Sequence, residues 1–291
     1  MGIGRIRPCL EWESSQVGVV GARSGDYFDV LLDPALEVVP TLDRLWEAVK
    51  RERGVDLARF GQVRVDARVG PWLDRQRAWV ETREEAVGIP ITWRSGEQWV
   101  AELSSSRKKA FRQRARQLER QGLVFHVWDG SEPLDPILDA VIRQKRAWLE
   151  SRSLDGLLLS DEGADFLRAV TRGLAARGVL HLSMMRSDEG IAACHLGFLH
   201  DGVLYYYLPT YDARWKKEGV GTVLLEMLIM WASEHGVRRF DMLLGAHGYK
   251  ERYPITAEAV QTRVIAVGVA GYAALSAYRL SAKLRRRVEP G

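Results

Sequence analysis

The order of segments in residues 179–244 constrains the fold of this chain more than any other feature. Three strand-like runs come first, VLHLSMM from Val179, IAACHLGFL from Ile191 and VLYYYL from Val203. Short turns join them, one of them with Asp-Gly chemistry, which predicts three consecutive antiparallel strands. A Gly-Val-Gly turn, an apolar helix and the strand VRRFDMLL follow. Because a helix intervenes, this last strand can lie parallel to the strand that begins at Val203.

The turn before the apolar helix predicts a binding site for a phosphorylated ligand. Gly219 and Gly221 stand at the helix start, directly after Lys216 and Lys217. Free N–H groups at a helix start bind phosphate, and glycines let the phosphate approach the backbone. The spacing is not that of a P-loop, and Leu224 stands where a dinucleotide fold needs its third glycine. We therefore place the ligand at residues 216–222.

Composition and length favour a cytoplasmic protein without a metal site. The chain has 291 residues, of which 46% are hydrophobic and 27% charged, enough for one large domain or two of medium size. The longest apolar stretch, residues 220–232, is too short for a bilayer span, which needs about 20 apolar residues. The N-terminus shows no apolar core of a signal peptide. Two cysteines and six scattered histidines form neither a disulfide framework nor a metal-ligand pattern.

The net charge of +4 is concentrated in two patches. Residues 107–120 hold seven basic residues against Glu119 alone, and residues 279–289 hold five against one acid. A capping box at Ser95 opens the first of these regions. We predict a short helix through Leu103 and a second helix over about residues 106–121. The first turn of the second helix is basic, which has two interpretations: residues 97–121 are one bent helix, or the lysines bind an anion. Such a run of charge can also bind RNA or form a solvated face.

The glycine turn carries a resemblance to a known family. Residues 216–221, KKEGVG, resemble the pyrophosphate loop of the GNAT acetyltransferases, [QR]-x-x-G-x-[GA], with Lys216 in place of Gln or Arg. Residues 205–253, YYYLPTYDARWKKEGVGTVLLEMLIMWASEHGVRRFDMLLGAHGYKERY, look like the BioF2-like or CelD-like acetyltransferase domain. That branch is similar to the FemABX peptidyltransferases, and residues 104–122 resemble the basic helix of that branch. The matching positions are Tyr211-Asp212, the glycine turn, Trp231-Ala232, Gly236, Phe240-Asp241, Gly245 and Tyr249-Lys250.

The resemblance implies an α/β (α+β) fold of two GNAT-like halves. Each half would be a mixed, mostly antiparallel sheet flanked by helices, and the basic helix would join them. Residues 1–95 would form a degenerate N-terminal half, and residues 96–291 the half that retains the cofactor site. The N-terminal half is short for the family, which favours a start inside a longer protein.

The implied activity is acyl-CoA-dependent N-acyl transfer, with the amine attacking the thioester of acetyl-CoA or another acyl-CoA directly. The acceptor would be a small-molecule amine, such as an amino sugar, an amino acid or a cell-envelope precursor. Two alternatives stay open: a FemABX-like transferase that uses aminoacyl-tRNA, and a non-catalytic module that binds a phosphorylated ligand. The intact glycine turn, and the lack of room for a long helical hairpin, favour coenzyme A over nucleic acid.

The resemblance also implies roles for residues in the cofactor site. Backbone N–H groups of residues 218–222 would hold the pyrophosphate, and N–H groups at the end of the third strand would stabilise the oxyanion. The cofactor-binding candidates are Leu208, Thr210, Lys216, Lys217, Glu218, Gly219, Val220, Gly221 and Thr222.

Five further side chains are catalytic candidates, each with a structural alternative. Tyr249 would protonate the leaving thiolate, or pack beside the last strand. Lys250 would bind an anionic group of the substrate, or be solvated. Asp241 lies in an apolar strand and needs a partner, such as Lys250 or an arginine of the final helix, so a structural ion pair competes with a role as base. His195 and Asp212 are further candidates for the base, although a lone strand histidine is often simply packed.

Overall fold

The computed structural model describes residues 10–11, 26–51, 56–245 and 248–288, with backbone alone for 10–11 and 281–288. Contacts divide the chain into two compact units, residues 1–86 with 258–291, and residues 87–257. The predicted boundary between residues 95 and 96 concerns GNAT-like halves and stays a prediction.

The helices and strands alternate along the chain in a mixed α/β order. In sequence they are β1 (Leu10–Glu11), α1 (Val38–Arg51), β2 (Leu57–Arg64), α2 (Gly70–Arg75), β3 (Trp79–Pro90), α3 (Gly96–Glu102), α4 (Ser105–Arg120), β4 (Val124–Val127), α5 (Leu134–Glu150), α6 (Asp161–Ala176), β5 (Leu180–Ser187), β6 (Gly190–His200), β7 (Val203–Tyr211), α7 (Val220–Glu234), β8 (Arg239–Leu244), β9 (Thr256–Ala266) and α8 (Gly268–Val288).

The first unit is a small sheet with its own aromatic core. Strand β2 pairs in parallel with β1 and antiparallel with β9. The core beside it contains Trp46, Phe60 and Trp72, whose rings meet edge to face with centroids 5.6 and 5.7 Å apart. Residues 26–33 have a strand-like composition, and within the described part of the chain they form a single bridge, between Phe28 and Val63.

The second unit contains the strand order β8-β7-β6-β5-β4, with residues 87–90 of β3 beside β8. Strands β5, β6 and β7 are antiparallel neighbours, and β8 lies parallel to β7, as the sequence predicts. Helix α7 packs on one face of this sheet and helices α5 and α6 on the other. The predicted mixed α/β architecture, a mostly antiparallel sheet flanked by helices, is confirmed.

Strand β7 contains a β-bulge that reverses the direction of its side chains. Phe198 pairs with Tyr205, and Leu196 pairs with Leu208. The stretch from 205 to 208 on β7 is therefore one residue longer than the stretch from 196 to 198 that it faces on β6. A side chain alternates faces at every residue, so one extra residue exchanges the two faces. Leu204 accordingly packs in the core beneath α7, whereas Leu208 packs in the core beneath α5.

Residues 97–121 form the two predicted helices, and the interpretation that they are one bent helix is wrong. Helix α3 ends at Glu102, and α4 begins after Ser104, whose side chain accepts a hydrogen bond from the N–H of Arg107. This N-cap satisfies an amide that a continuous helix would have bonded internally. Consequently Arg107 and Lys108 lie in the first turn of a helix, where the helix dipole disfavours their charge.

Candidate active site

The predicted glycine turn opens on a large cavity in the second unit. The cavity has a volume of about 630 Å³, and Lys216, Gly219, Val220, Gly221 and Thr222 form part of its wall. Gly219 takes the left-handed conformation, with φ of 72°, directly before α7. Its carbonyl accepts hydrogen bonds from the N–H groups of residues 222 and 223. Among the described residues no backbone acceptor is found for the amides of Val220 and Gly221, so these two remain for a ligand.

The cavity continues to the place where the central strands separate. Strands β7 and β8 pair only from Val203 with Arg239 to Tyr205 with Asp241, although both strands continue further. Beyond that point Leu243 has a φ of 63° and donates its N–H to Asp241 Oδ1 at 2.8 Å. Pro209, Thr210 and Tyr211, from the separated end of β7, line the cavity. The separation opens the space between two parallel strands that an uninterrupted sheet would close.

Cationic side chains from three parts of the chain line the cavity on which the glycine turn opens. Arg114 on α4 lies over the turn, since a Cβ placed on Gly219 would be 3.4 Å from Arg114 Cδ. Lys145 on α5 lines the same cavity, with its Nζ 4.3 Å from the centroid of the Trp148 ring. Burial, and then the charge of Arg152, lower the pKa of Lys145. Together with Lys216 these side chains make the region suited to a polyanion such as a diphosphate.

A buried ion pair lies farther along the same cavity wall. Glu226 on α7 is 1% exposed and accepts hydrogen bonds from Arg107 Nη2 at 2.7 Å and Trp99 Nε1 at 3.1 Å. The Tyr253 hydroxyl lies 3.3 Å from the same carboxylate, and the Arg107 guanidinium stacks on the Tyr253 ring. Arg107 also donates to the carbonyl of Arg252. The network fixes the positions of α4, α7 and the segment after β8 around the cavity.

Two tyrosine hydroxyls, of Tyr249 and Tyr206, lie on the cavity as neutral donors. Tyr249 belongs to the 3-10 turn Gly248–Arg252, and partial burial raises the pKa of its hydroxyl to about 12. Burial raises the pKa of Tyr206 well above its ordinary value as well. A hydroxyl that keeps its proton at pH 7 can donate it to a thiolate that develops nearby. Tyr249 thus lines the cavity and keeps its proton at pH 7, and its role as the proton donor stays a prediction.

One of the four other predicted cofactor residues, Thr210, lines the cavity, and the other three do not. The Thr210 hydroxyl donates to Gln144 Oε1 at 2.8 Å, and Thr210 contributes to the cavity wall. Leu208 is buried in the core beneath α5. Lys217 and Glu218 are outside the cavity lining, and Glu218 Oε2 is buried without a hydrogen-bond partner among the described residues.

His195 is fully buried behind Tyr206 and does not line the cavity. Its ring stacks on the Tyr206 ring with centroids 4.6 Å apart, and neither ring nitrogen has a hydrogen-bond partner among the described residues. Burial, and then the nearby His181, hold the pKa of His195 well below its ordinary value. A general base must reach the proton that it removes, so this placement favours packing over catalysis.

We expect these buried histidines to make the protein sensitive to acid. Burial lowers the pKa of His181 from 6.5 to about 4. The unfolded chain binds a proton at His181 below pH 6.5, whereas the folded chain does so only near pH 4. The stabilisation is complete above pH 6.5, and about 2 to 3 kcal/mol is lost as the pH falls to 4. Urea unfolding at pH 7 and pH 4.5 measures the loss. His181→Phe should reduce it and His200→Gln, at an exposed position, should not; an equal loss in all three proteins contradicts the prediction.

Asp241 and Lys250 hold the end of β8 in place. Asp241 is buried, and Arg239, on the same strand, places Nε 3.8 Å from its carboxylate. Lys250 donates to the carbonyls of Met242 and Leu244, at 2.7 and 2.6 Å. Neither side chain lines the cavity. These contacts maintain the irregular end of β8, where its separation from β7 begins.

Asp212 is engaged by its neighbour Arg214. The carboxylate accepts hydrogen bonds from the Arg214 backbone N–H at 2.9 Å and from its guanidinium at 2.7 Å. These bonds lower the pKa of Asp212, which makes it a weaker base. Its contacts stabilise the 3-10 turn Ala213–Trp215 that leads from β7 into the glycine turn.

The described part of the chain shows neither a metal-binding cluster nor a membrane-spanning helix. No group of three or more His, Cys, Asp or Glu side chains there could hold a metal ion. Within the same residues no helix is long and apolar enough to cross a membrane. Burial raises the pKa of Cys194 to about 12, so this thiol is a poor nucleophile.

Sequence patterns did not single out several residues that shape the cavity. Lys145 and Trp148 lie on an ordinary amphipathic helix, and no local signal marks them. Arg114 was one of seven basic residues in its segment. Glu226 did carry a signal, because a lone carboxylate in an apolar helix needs a buried partner.

The chain belongs to the GNAT acetyltransferase family. The family model described as "Acetyltransferase (GNAT) domain" matches residues 105–251, half of the chain. The matched region includes the glycine turn, the separated strands and Tyr249. No curated protein matches the sequence.

Solved structures show that the fold is related to that of the FemABX proteins. The C-terminal domain (DUF2156) of a putative lysylphosphatidylglycerol synthetase from Agrobacterium fabrum has a TM-score of 0.56 at 16% identity, covering 82% of this chain and 77% of that one. L-PGS from Bacillus licheniformis has a TM-score of 0.56 at 17% identity, covering 78% and 72%. FemX has a TM-score of 0.56 at 9% identity, covering 76% and 75%. At these identities the likeness is one of fold.

Proposed function

We propose that this chain is an acyl-CoA-dependent N-acyltransferase of the BioF2-like or CelD-like branch. The observation that carries the proposal is the glycine turn, which opens on the 630 Å³ cavity beneath Arg114, Lys145 and Lys216. The free amides of Val220 and Gly221 and these three cations fit a diphosphate. The separated strands leave room for the extended arm that carries a thioester.

The chemistry we propose is direct transfer, with catalysis mainly by positioning. The amine nitrogen attacks the thioester carbonyl carbon, so a C–N bond forms and the C–S bond breaks. Tyr249 supplies a proton to the departing thiolate. Since Asp212, Asp241, Lys250 and His195 have structural contacts, the proposal gives them positioning roles.

We predicted backbone N–H groups around Leu208 and Thr210 as the oxyanion donors. Asp212 donates its N–H to the carbonyl of Ala192, and bonded pairs alternate along an antiparallel ladder, so the N–H groups of Leu208 and Thr210 face β6. The Tyr211 N–H faces away from β6 at the separated end and is therefore the candidate for stabilising the oxyanion.

Calorimetry with acetyl-CoA tests the proposal. Gly221 forms the cavity wall, and a Cβ there would meet only Tyr211 Cδ1, at an ordinary 3.6 Å. Gly221→Trp should therefore fold, place an indole in the cavity and raise the Kd for acetyl-CoA by about 100-fold or more. Gly173→Trp, at a helical glycine on α6 away from the cavity, is the matched control and should bind normally. Equal affinities of Gly221→Trp and wild type would remove the glycine turn from the cofactor site.

A second candidate is a transferase that takes its acyl group from aminoacyl-tRNA, as the FemABX proteins do. Lys109, Arg112, Arg116 and Arg120 follow one another along the exposed side of α4, and no ion pair is found for them among the described residues. At 1.5 Å per residue the row extends about 16 Å, long enough to contact several phosphates of a nucleic acid strand. Binding of aminoacyl-tRNA with a steep salt dependence, and no binding of acetyl-CoA, would favour this candidate. Coenzyme A binding without turnover across a panel of amines would instead indicate a binding module.

A further inference from the structure

A second cavity adjoins the first in the same unit. Its volume is about 640 Å³, and it shares Arg107, Ala110 and Arg252 with the first cavity. Its remaining wall consists of Trp99, Glu102, Leu103, Ser104, Ser106 and Pro254. The two cavities therefore adjoin at these three shared residues, and we call this shared wall the partition.

The partition lies at the end of the first cavity opposite the glycine turn. Helix α4 runs along the first cavity, with Arg114 over Gly219 at one end and Arg107 against Glu226 at the other. Glu226 lies seven residues into α7 from Gly219, which at 1.5 Å per residue is about 10 Å. A donor whose phosphates bind at the glycine turn would therefore extend its acyl end toward the partition.

The two arginines at the partition differ in whether their charge is available to a ligand in the second cavity. Arg107 is neutralised by Glu226, at 2.7 Å. Arg252, by contrast, has no ion pair among the described residues and is exposed to both cavities. The Arg252 guanidinium can bind a carboxylate or phosphate through charge-assisted hydrogen bonds, and the carboxylate of Glu102, on the wall of the same cavity, can bind the ammonium form of an incoming amine.

We propose that the second cavity binds the acyl acceptor, a primary amine whose molecule also carries a carboxylate or phosphate group bound by Arg252. This assignment rests on the proposed N-acyl transfer. The neutral amine attacks the thioester carbonyl carbon, the C–N bond forms and the sulfur leaves with the C–S electron pair. One proton leaves the nitrogen and one joins the sulfur, so the products are an amide and a free thiol.

Direct binding of matched amines tests the assignment without a donor. Phenylalanine is compared with 2-phenylethylamine, and glucosamine 6-phosphate with glucosamine, by calorimetry on the full chain. Each pair differs in its anionic group, so the pair that discriminates identifies carboxylate or phosphate. The anionic member of at least one pair should bind about tenfold or more tightly, and Arg252→Gln should abolish that preference. If neither anionic amine binds, or if the preference survives in Arg252→Gln, the assignment is overturned, whether or not acetyl-CoA binds.

A variant that fills the second cavity gives a second test of the assignment, with amine and acetyl-CoA affinities as the readouts. Ser106→Trp places an indole in it and should raise the Kd of the anionic amine about tenfold or more, with acetyl-CoA affinity unchanged. Ser105→Trp, one residue away on the exposed surface of α4 and outside both linings, is the matched control and should bind both normally. Unchanged amine affinity in Ser106→Trp overturns the assignment. If wild type binds the anionic amine but not acetyl-CoA, the proposed use of acyl-CoA is overturned and the assignment of the second cavity to an anionic amine is not.

Discussion

Replacement of Glu226 with leucine is expected to lower the free energy of unfolding by about 3 to 5 kcal/mol. The carboxylate is 1% exposed and accepts hydrogen bonds from Arg107 and Trp99. Without it, a guanidinium whose side chain is only 24% exposed loses its counter-charge, and an indole N–H loses its acceptor. Urea unfolding of wild type and Glu226→Leu at pH 7 measures the difference.

The double variant Arg107→Leu/Glu226→Leu distinguishes an unpaired charge from a loss of packing. The double variant leaves no charge unpaired, so it should regain the part of the stability that Glu226→Leu loses through the guanidinium, while the Trp99 N–H still lacks its acceptor. Asp135→Leu removes a carboxylate from an exposed pair with Arg172 and should cost less than about 1 kcal/mol. A double variant as unstable as Glu226→Leu would contradict the interpretation.

Gly197→Ala is expected to destabilise the protein by about 3 to 4 kcal/mol, since a methyl group there has no space. Gly197 lies opposite the bulge of β7. An added Cβ would overlap the carbonyl oxygen of Tyr205 and lie 2.6 Å from His195 Nε2, whereas real Cβ contacts are essentially never under 3.0 Å. The carbonyl belongs to the backbone of the neighbouring strand, so it cannot rotate away as a flexible side chain would.

The same variant reports on the position of the bulge. Gly173→Ala is the matched control, because a Cβ on this helical glycine would meet only Arg177 Nη1, at 3.6 Å. It should be neutral or stabilising by up to about 1 kcal/mol. Thermal and urea unfolding compare the two. A loss of under 1 kcal/mol in Gly197→Ala would show that β6 and β7 do not approach as closely as described.

Strands with strict local patterns were predictable from the sequence, and strands without them were not. Strands β5, β6 and β7 have apolar runs separated by short polar turns, so both their existence and their antiparallel order followed. Strand β3 was missed because its middle, Thr82-Arg83-Glu84-Glu85, is charged and mostly exposed. Residues 26–33 have a strand-like composition, but a single bridge, to Val63, is found for them among the described residues. A β-pattern becomes a strand only when a neighbouring edge is free to pair.

Local sequence patterns were enough to predict the glycine turn, the apolar helix after it and the antiparallel strands before it. These features depend on residues close together in the chain, through turn chemistry, helix capping and side-chain periodicity. The folded chain was needed to show that Arg114 and Lys145 share a cavity with that turn, that Glu226 binds Arg107, and that two cavities meet at Arg252. The physical reason is that each of these contacts joins residues tens of positions apart, and its energy depends on distance and burial that no local pattern encodes.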